Sequence, residues 1–303
     1  MNLYHKYRPS SLEEIIGNEN IISSISDMLS NIEKCPHAFL ITGQTGCGKT
    51  TIGRIIASKL NCIGSDFREL DSADFRGIDT IREIRRQSQY KPLESPCRVW
   101  LMDECHKLTN DAQNALLKIL EDTPSHIYFV LCTTDPQNLL TTIKGRCIQF
   151  QVNPLNDKQM FRLLRKVVKV EEENIQKDVY DQIIMDSFGH PRDALQILEI
   201  VLRTEPEKRL SAAKKQAEQQ SQSIELCRSL LTPGNWKKTM NILNGLKDQD
   251  AESIRRHVLG YCQSVLLKED NVRAGLIIEE FREPFYNIGF PGLVYACYSV
   301  VKS

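Results

Sequence analysis

The chain has 303 residues, 41% of them apolar, enough for about two or three domains with buried cores. Its 39 Lys and Arg balance 39 Asp and Glu, so contact with nucleic acid must come from a local basic face, and a uniformly basic packaging protein is excluded. No window has the apolar length of a membrane span and Met1 to Lys6 lacks a signal peptide's apolar stretch, so the expectation is a soluble chain in the cytoplasm, or in a host's cytoplasm if virus-encoded.

Along the chain, β-rich apolar runs alternate with helical periods up to about residue 150. In order, the pattern predicts a strand over 38–41, a helix over 49–60, a strand over 67–70 and a helix over 78–88. A strand over 99–102, a helix over 110–120, a strand over 128–131, a helix over 138–144 and a strand over 148–150 follow. This is an α/β arrangement with a parallel sheet, whose ligands sit beyond the carboxyl ends of the strands. Helical spacing then takes over at 157–169, 178–188 and 192–202, and the segment 204–222, rich in Lys, Glu, Gln, Ala and Ser, reads as an exposed helix or a linker. From Ile224 the apolar spacing stays helical, with no internal repeat. The expected domains are 1–153 (α/β), 154–204 (small helical) and 205–303 (all-helical). The ten cysteines never fall as C-x-x-C, so structural zinc is not expected, and those inside apolar runs read as small hydrophobes.

Two segments carry chemistry. Gly43-Gln44-Thr45-Gly46-Cys47-Gly48-Lys49-Thr50, with Thr51 behind it, fits the P-loop pattern between a strand and a helix. Glycines there let backbone N–H groups close around phosphate, Lys49 reaches the terminal phosphates, and Thr50 is suited to Mg²⁺. Val99-Trp100-Leu101-Met102-Asp103-Glu104 is an apolar strand ending in two acids. Asp103 suits the Mg²⁺ shell and Glu104 the polarisation of water for hydrolysis of a nucleoside triphosphate.

The run from Asp103-Glu104-Cys105-His106-Lys107-Leu108-Thr109 through Asp111-Ala112-Gln113-Asn114-Ala115-Leu116-Leu117-Lys118 closely resembles the AAA+ clamp-loader ATPases of DNA replication. The resemblance covers most of residues 1–200 and implies a P-loop ATPase domain, a helical lid and a helical collar. Lys6-Tyr7-Arg8-Pro9 with Ile16-Gly17 resembles the family's adenine-pocket segment, and Thr133-Thr134 its sensor 1 segment, Thr134 then assisting catalysis. Gly145-Arg146-Cys147 stands where the family has Ser-Arg-Cys, which implies that Arg146 is a finger into a neighbouring subunit's ATP site. Glycine at 145 departs from the motif and loosens the backbone before Arg146. Gly189-His190-Pro191-Arg192 resembles sensor 2, with Arg192 reaching the nucleotide in its own subunit.

Asp74 to Asp79 looks more like replication factor C small subunits than bacterial gamma/tau, and neither the gamma/tau zinc module nor the role of the long tau extension is expected here. Arg82, Arg85 and Arg86 share one helix side at i, i+3, i+4 spacing, with Arg76 in the leading loop. The resemblance implies backbone contact with primer-template DNA, against the alternative of a solvated helix face. Ile84, Tyr90 and Leu93 are candidate anchors for a sliding clamp, with core burial the alternative. The expected partners are other clamp-loader subunits in a pentamer, the clamp, and DNA, with no membrane partner. Two alternatives are another DNA-acting AAA+ machine of the recombination or branch-migration type, and a non-hydrolysing structural subunit of a clamp loader.

Overall fold

The computed structural model describes residues 2–71, 77–220, 222–234, 236–267, 270–285 and 288–302. The chain divides into two compact units, one built from Leu3–Leu163 with His190–Arg192, the other from Leu164–Gly189 with Asp193–Ser303.

In the first unit the five expected strands all form: β1 (Ala38–Gly43), β2 (Phe67–Leu70), β3 (Arg98–Met102), β4 (Ile127–Thr133) and β5 (Ile148–Val152). They make one parallel sheet in the order β2-β3-β4-β1-β5. Leu40 of β1 lies opposite Leu131 of β4 on one side and Gln149 of β5 on the other. Strands β3 and β4 are buried along their whole length, which is why they read as unbroken apolar runs. Side chains alternate between two cores. Phe39, Ile41, Val99, Leu101 and Val130 face one, and Leu40, Trp100, Met102, Phe129 and Leu131 face the other.

Helices α1 (Leu3–Lys6), α2 (Glu19–Ser30), α3 (Lys49–Lys59), α4 (Ile78–Ser88), α5 (Asn110–Glu121) and α6 (Thr141–Lys144) accompany the sheet. Helices α2 and α3 supply Ile25, Ile52 and Ile56 to the first core, whereas α4 and α5 supply Ile81, Ile84, Leu116 and Ile119 to the second. The helix expected over 138–144 is shortened to a 3-10 turn at Pro136–Asn138 and the four residues of α6. The buried Gln113 intervenes. Its amide donates to the Asn138 carbonyl at 3.0 Å and accepts the Leu140 N–H at 2.9 Å, taking backbone groups that a continuous helix would have paired.

Helices α7 (Asp157–Val170), α8 (Lys177–Ser187), α9 (Pro191–Leu202), α10 (Arg209–Gln220), α11 (Gln222–Leu231), α12 (Trp236–Gly245), α13 (Ala251–Leu266), α14 (Val272–Glu280) and α15 (Phe290–Lys302) complete the chain. The segment that the sequence left open between exposed helix and linker is therefore largely helix α10, which packs on α8 with Ala213 buried. Arg209 anchors its start, donating to the Thr204 and Asn174 carbonyls and pairing with Glu173 at 2.9 Å. All ten cysteines are buried free thiols. Burial pushes the Cys262 and Cys297 thiols up to about 12, so they behave as small hydrophobes. Among the described residues no helix is long and apolar enough to cross a membrane.

Candidate functional site

The sheet order places β3, β4 and β1 side by side, so whatever follows their carboxyl ends must converge. After β1 the chain turns through Gly46 and Gly48, at φ of 79° and 98°, left-handed values that a side chain would strain. It then enters α3 at Lys49. Lys49 is 5% exposed and its Nζ donates to the Gln44 carbonyl at 3.0 Å, which folds the ammonium back over the loop. Thr50 Oγ1 donates to Asp103 Oδ2 at 2.7 Å, joining the start of α3 to the end of β3. This hydroxyl and carboxylate are the hard oxygen donors that a divalent cation prefers.

Glu104 follows at φ 51°, a left-handed backbone that turns its carboxylate toward the end of β4. There Oε2 accepts from Thr134 Oγ1 at 2.9 Å and stands 3.3 Å from His106 Nδ1. His106 Nδ1 is also 3.0 Å from Thr133 Oγ1, which accepts the Asp135 N–H at 3.0 Å. His106 Nδ1 therefore stands between the Thr133 hydroxyl and the Glu104 carboxylate. Thr134, which the resemblance implies assists catalysis, thus meets Glu104, and Thr133 of the same segment and His106, to which the sequence gave no role, join the cluster.

A second cluster flanks the loop. His190 Nε2 lies 2.7 Å from Gln44 Oε1, and a β-carbon at Gly46 would stand 3.4 Å from that of Arg192. The Arg192 guanidinium sits 4.9 Å from the centre of the Tyr4 ring, and Arg8 sits 4.8 Å from the same ring while donating to the Tyr4 hydroxyl at 2.6 Å. Gly17, at φ 79°, packs so tightly that a β-carbon there would come within 2.6 Å of Leu155.

A family model described as "DNA polymerase III, delta subunit" matches residues 65–156. The gamma subunit of DNA polymerase III from Buchnera aphidicola subsp. Schizaphis graminum is 38% identical over 65% of this chain and 60% of its own length. The gamma/tau subunit from Mycobacterium bovis is 36% identical over 67% of this chain and 39% of its own length. Among solved structures, a gamma-subunit-related protein from Thermotoga maritima superposes with a TM-score of 0.54 at 18% identity, covering 92% of this chain and 98% of that one. The Thermotoga maritima RuvB Holliday junction branch migration motor superposes with a TM-score of 0.59 at 21% identity, over 74% and 78% of the two chains. At such identities the superpositions show the fold. The chain is similar in sequence to the DNA polymerase III gamma and gamma/tau subunits. It spans 39% to 60% of the length of the two relatives named above.

The other expected site residues stand on other elements. Arg146 follows α6 and is ion-paired with Glu121, and it donates to the Thr142 carbonyl at 3.1 Å. Gly145 has an ordinary helical backbone at φ −69° and room for a β-carbon, so a serine would fit as well and glycine does not by itself misplace Arg146. Arg82, Arg85 and Arg86 are all exposed, with Arg82 paired to Asp79 at 2.9 Å and Arg86 to Glu83 at 2.8 Å. Arg82 and Arg85 line a groove of about 280 Å³ between α4 and α5 that Asp111, Asn114 and Lys118 also line. Lys118 and Asn114 escaped the sequence reading, although 111, 114, 115 and 118 form an i, i+3, i+4, i+7 stripe that marks one face. Arg76 lies outside the described residues.

For one candidate clamp anchor the core alternative holds. Ile84 is 2% exposed and belongs to the sheet core, because it lies on the side of α4 opposite the arginines. Tyr90 and Leu93 are 65% and 82% exposed. The backbone beneath them is fixed by Asp66, whose carboxylate accepts N–H bonds from Leu93, Glu94 and Ser95 and pairs with Arg98 at 3.1 Å.

Proposed function

We propose that this chain is an ATPase subunit of a sliding-clamp loader, in which ATP binding and hydrolysis drive opening of the clamp and its placement on primed template DNA. The observation that carries the reading is the 2.7 Å bond from Thr50 to Asp103, which sets a hydroxyl and a carboxylate beside the loop that Lys49 folds over. These residues fit the group that the family implies. Lys49 and the loop N–H groups would hold the phosphates, and Thr50 and Asp103 the Mg²⁺, with Tyr7, Arg8, Pro9, Ile16 and Gly17 around the base. Mg·ATP supplies the bond to be broken and the charge that must be neutralised.

Within the protein, Glu104 accepts a proton from the attacking water. Thr134 and His106 stand against one of its oxygens, which leaves the other to take the proton. Arg192 then serves its own subunit and Arg146 a neighbour, since a guanidinium stays charged and forks onto phosphate. Arg82, Arg85 and Lys118 follow the DNA backbone by charge and shape, and exposed Tyr90 and Leu93 offer apolar anchors to the clamp.

The test is ATP binding and turnover of the chain assembled with its partner subunits. Lys49→Ala should abolish binding, whereas Glu104→Gln should keep binding and stop turnover. Wild-type turnover in Glu104→Gln removes the role given to Glu104. If the assembled wild type binds ATP without turnover, the structural-subunit reading wins.

A further inference from the structure

Two arginines that are far apart in sequence meet at one side chain that has no assigned role. The centre of the Tyr4 ring lies 4.8 Å from the Arg8 guanidinium and 4.9 Å from that of Arg192, and the Tyr4 hydroxyl accepts from Arg8. Neither arginine has a carboxylate partner among the described residues, and the buried Nε of Arg8 has no acceptor there. Arg146, Arg82 and Arg86 differ, since each is closed onto an acid. The form of the contact matters. An ion pair neutralises a guanidinium, while an aromatic face orients it and leaves its charge and donors available. Two like charges gathered on one ring also repel, which costs free energy until an anion arrives between or beside them.

We propose that Tyr4 is a positioning residue of the nucleotide site, its hydroxyl tied to Arg8 and its ring holding Arg192 charged and uncommitted beside the P-loop, so that Arg192 is prearranged for a triphosphate. The inference rests on the nucleotide reading of the P-loop. It adds a residue and a specificity, because an arginine held in reserve for the outermost phosphate favours ATP over ADP. Proximity is suitable. The β-carbon of Arg192 stands 3.4 Å from where a β-carbon on Gly46 would be, so the arginine springs from the loop's edge. An arginine already confined by a ring loses less rotamer freedom when it binds, and the ring therefore contributes affinity without touching the ligand.

The test titrates Mg·ATP and Mg·ADP into the full chain carrying Tyr4→Leu, Tyr4→Phe, Arg192→Ala, and Tyr4→Leu with Arg192→Ala. Tyr4→Leu should weaken ATP by about three- to tenfold and ADP by less, since one oriented cation is lost. Tyr4→Phe keeps the ring and loses only the Arg8 bond, so its preference for ATP over ADP should stay at the wild-type value. In the Arg192→Ala background, Tyr4→Leu should cost no further ATP preference. Equal losses for ATP and ADP, or an unchanged effect of Tyr4→Leu when Arg192 is already absent, overturns the role of Tyr4. Lys49→Ala run alongside separates the two levels: nucleotide binding that survives it overturns the P-loop reading and this inference with it, while its loss together with uncoupled Tyr4 and Arg192 overturns this inference alone.

Discussion

The two ends of the parallel sheet treat charge in opposite ways. At the amino end of β3, Asp66 is fully buried and saturated, with N–H bonds from Leu93, Glu94 and Ser95 and an ion pair to Arg98, which also donates to the Gln87 carbonyl at 2.6 Å. At the carboxyl end, Lys49 meets only a carbonyl among its described partners, Glu104 is held on one oxygen, and Arg192 rests on a ring. A buried charge with every lone pair occupied fixes a conformation, whereas a charge held by one neutral donor is ready to change partner. Saturation separates a structural ion pair from a reacting group better than burial does, since Lys49 is itself buried.

The comparison is sharpened most by Arg146, whose pairing with exposed Glu121 is the kind a better anion displaces. In the assembled complex Arg146→Ala should leave nucleotide affinity nearly intact and cut turnover by about 10³-fold, by analogy with arginine fingers elsewhere. Mixing Arg146→Ala and Lys49→Ala subunits in one complex should restore turnover wherever an intact Arg146 faces an intact loop. An assembled mixture without recovery places Arg146 with the structural pairs.

Next in size is the saturated end. Asp66→Ala leaves Arg98 buried without its partner and should cost about 3 kcal/mol in denaturant unfolding, with ATP affinity little changed. Burial alone would raise the Asp66 pKa, but the N–H bonds from Glu94, Leu93 and Ser95 and the Arg98 guanidinium hold it below the usual carboxylate range. The folded pKa lies below the unfolded one of about 3.9, so this stabilisation is complete above that pH and fades as pH falls through the folded value. Acid unfolding of Asp66→Asn should show less of that fade; an identical acid limb in both proteins refutes the account.

The smallest effect tests the groove between α4 and α5. Replacing Arg85 and Lys118 by Ala should weaken binding of primed DNA irrespective of sequence and flatten the log–log salt dependence by roughly one unit for each phosphate left without its cation. An unchanged slope returns these residues to a solvated face.

Much of this was legible beforehand because it is local. Alternating apolar residues specify strands, and glycines before Lys49 specify a loop whatever surrounds it, so five strands and the P-loop segment were readable. The helix over 138–144 misled because Gln113, 25 residues from Asn138, takes its backbone bonds. Ile84 was left between clamp anchor and core because which side of α4 enters the core depends on the sheet beneath it. By itself the sequence determined the order of the strands along the chain and the residue types offered at their ends. Tertiary structure alone decided that β3, β4 and β1 lie adjacent, that His106 Nδ1 stands beside Glu104, and that Tyr4 gathers Arg8 and Arg192. The physical reason is that spacing along a helix or strand fixes a direction for each side chain, while its partner is chosen by whichever distant segment packs against that face.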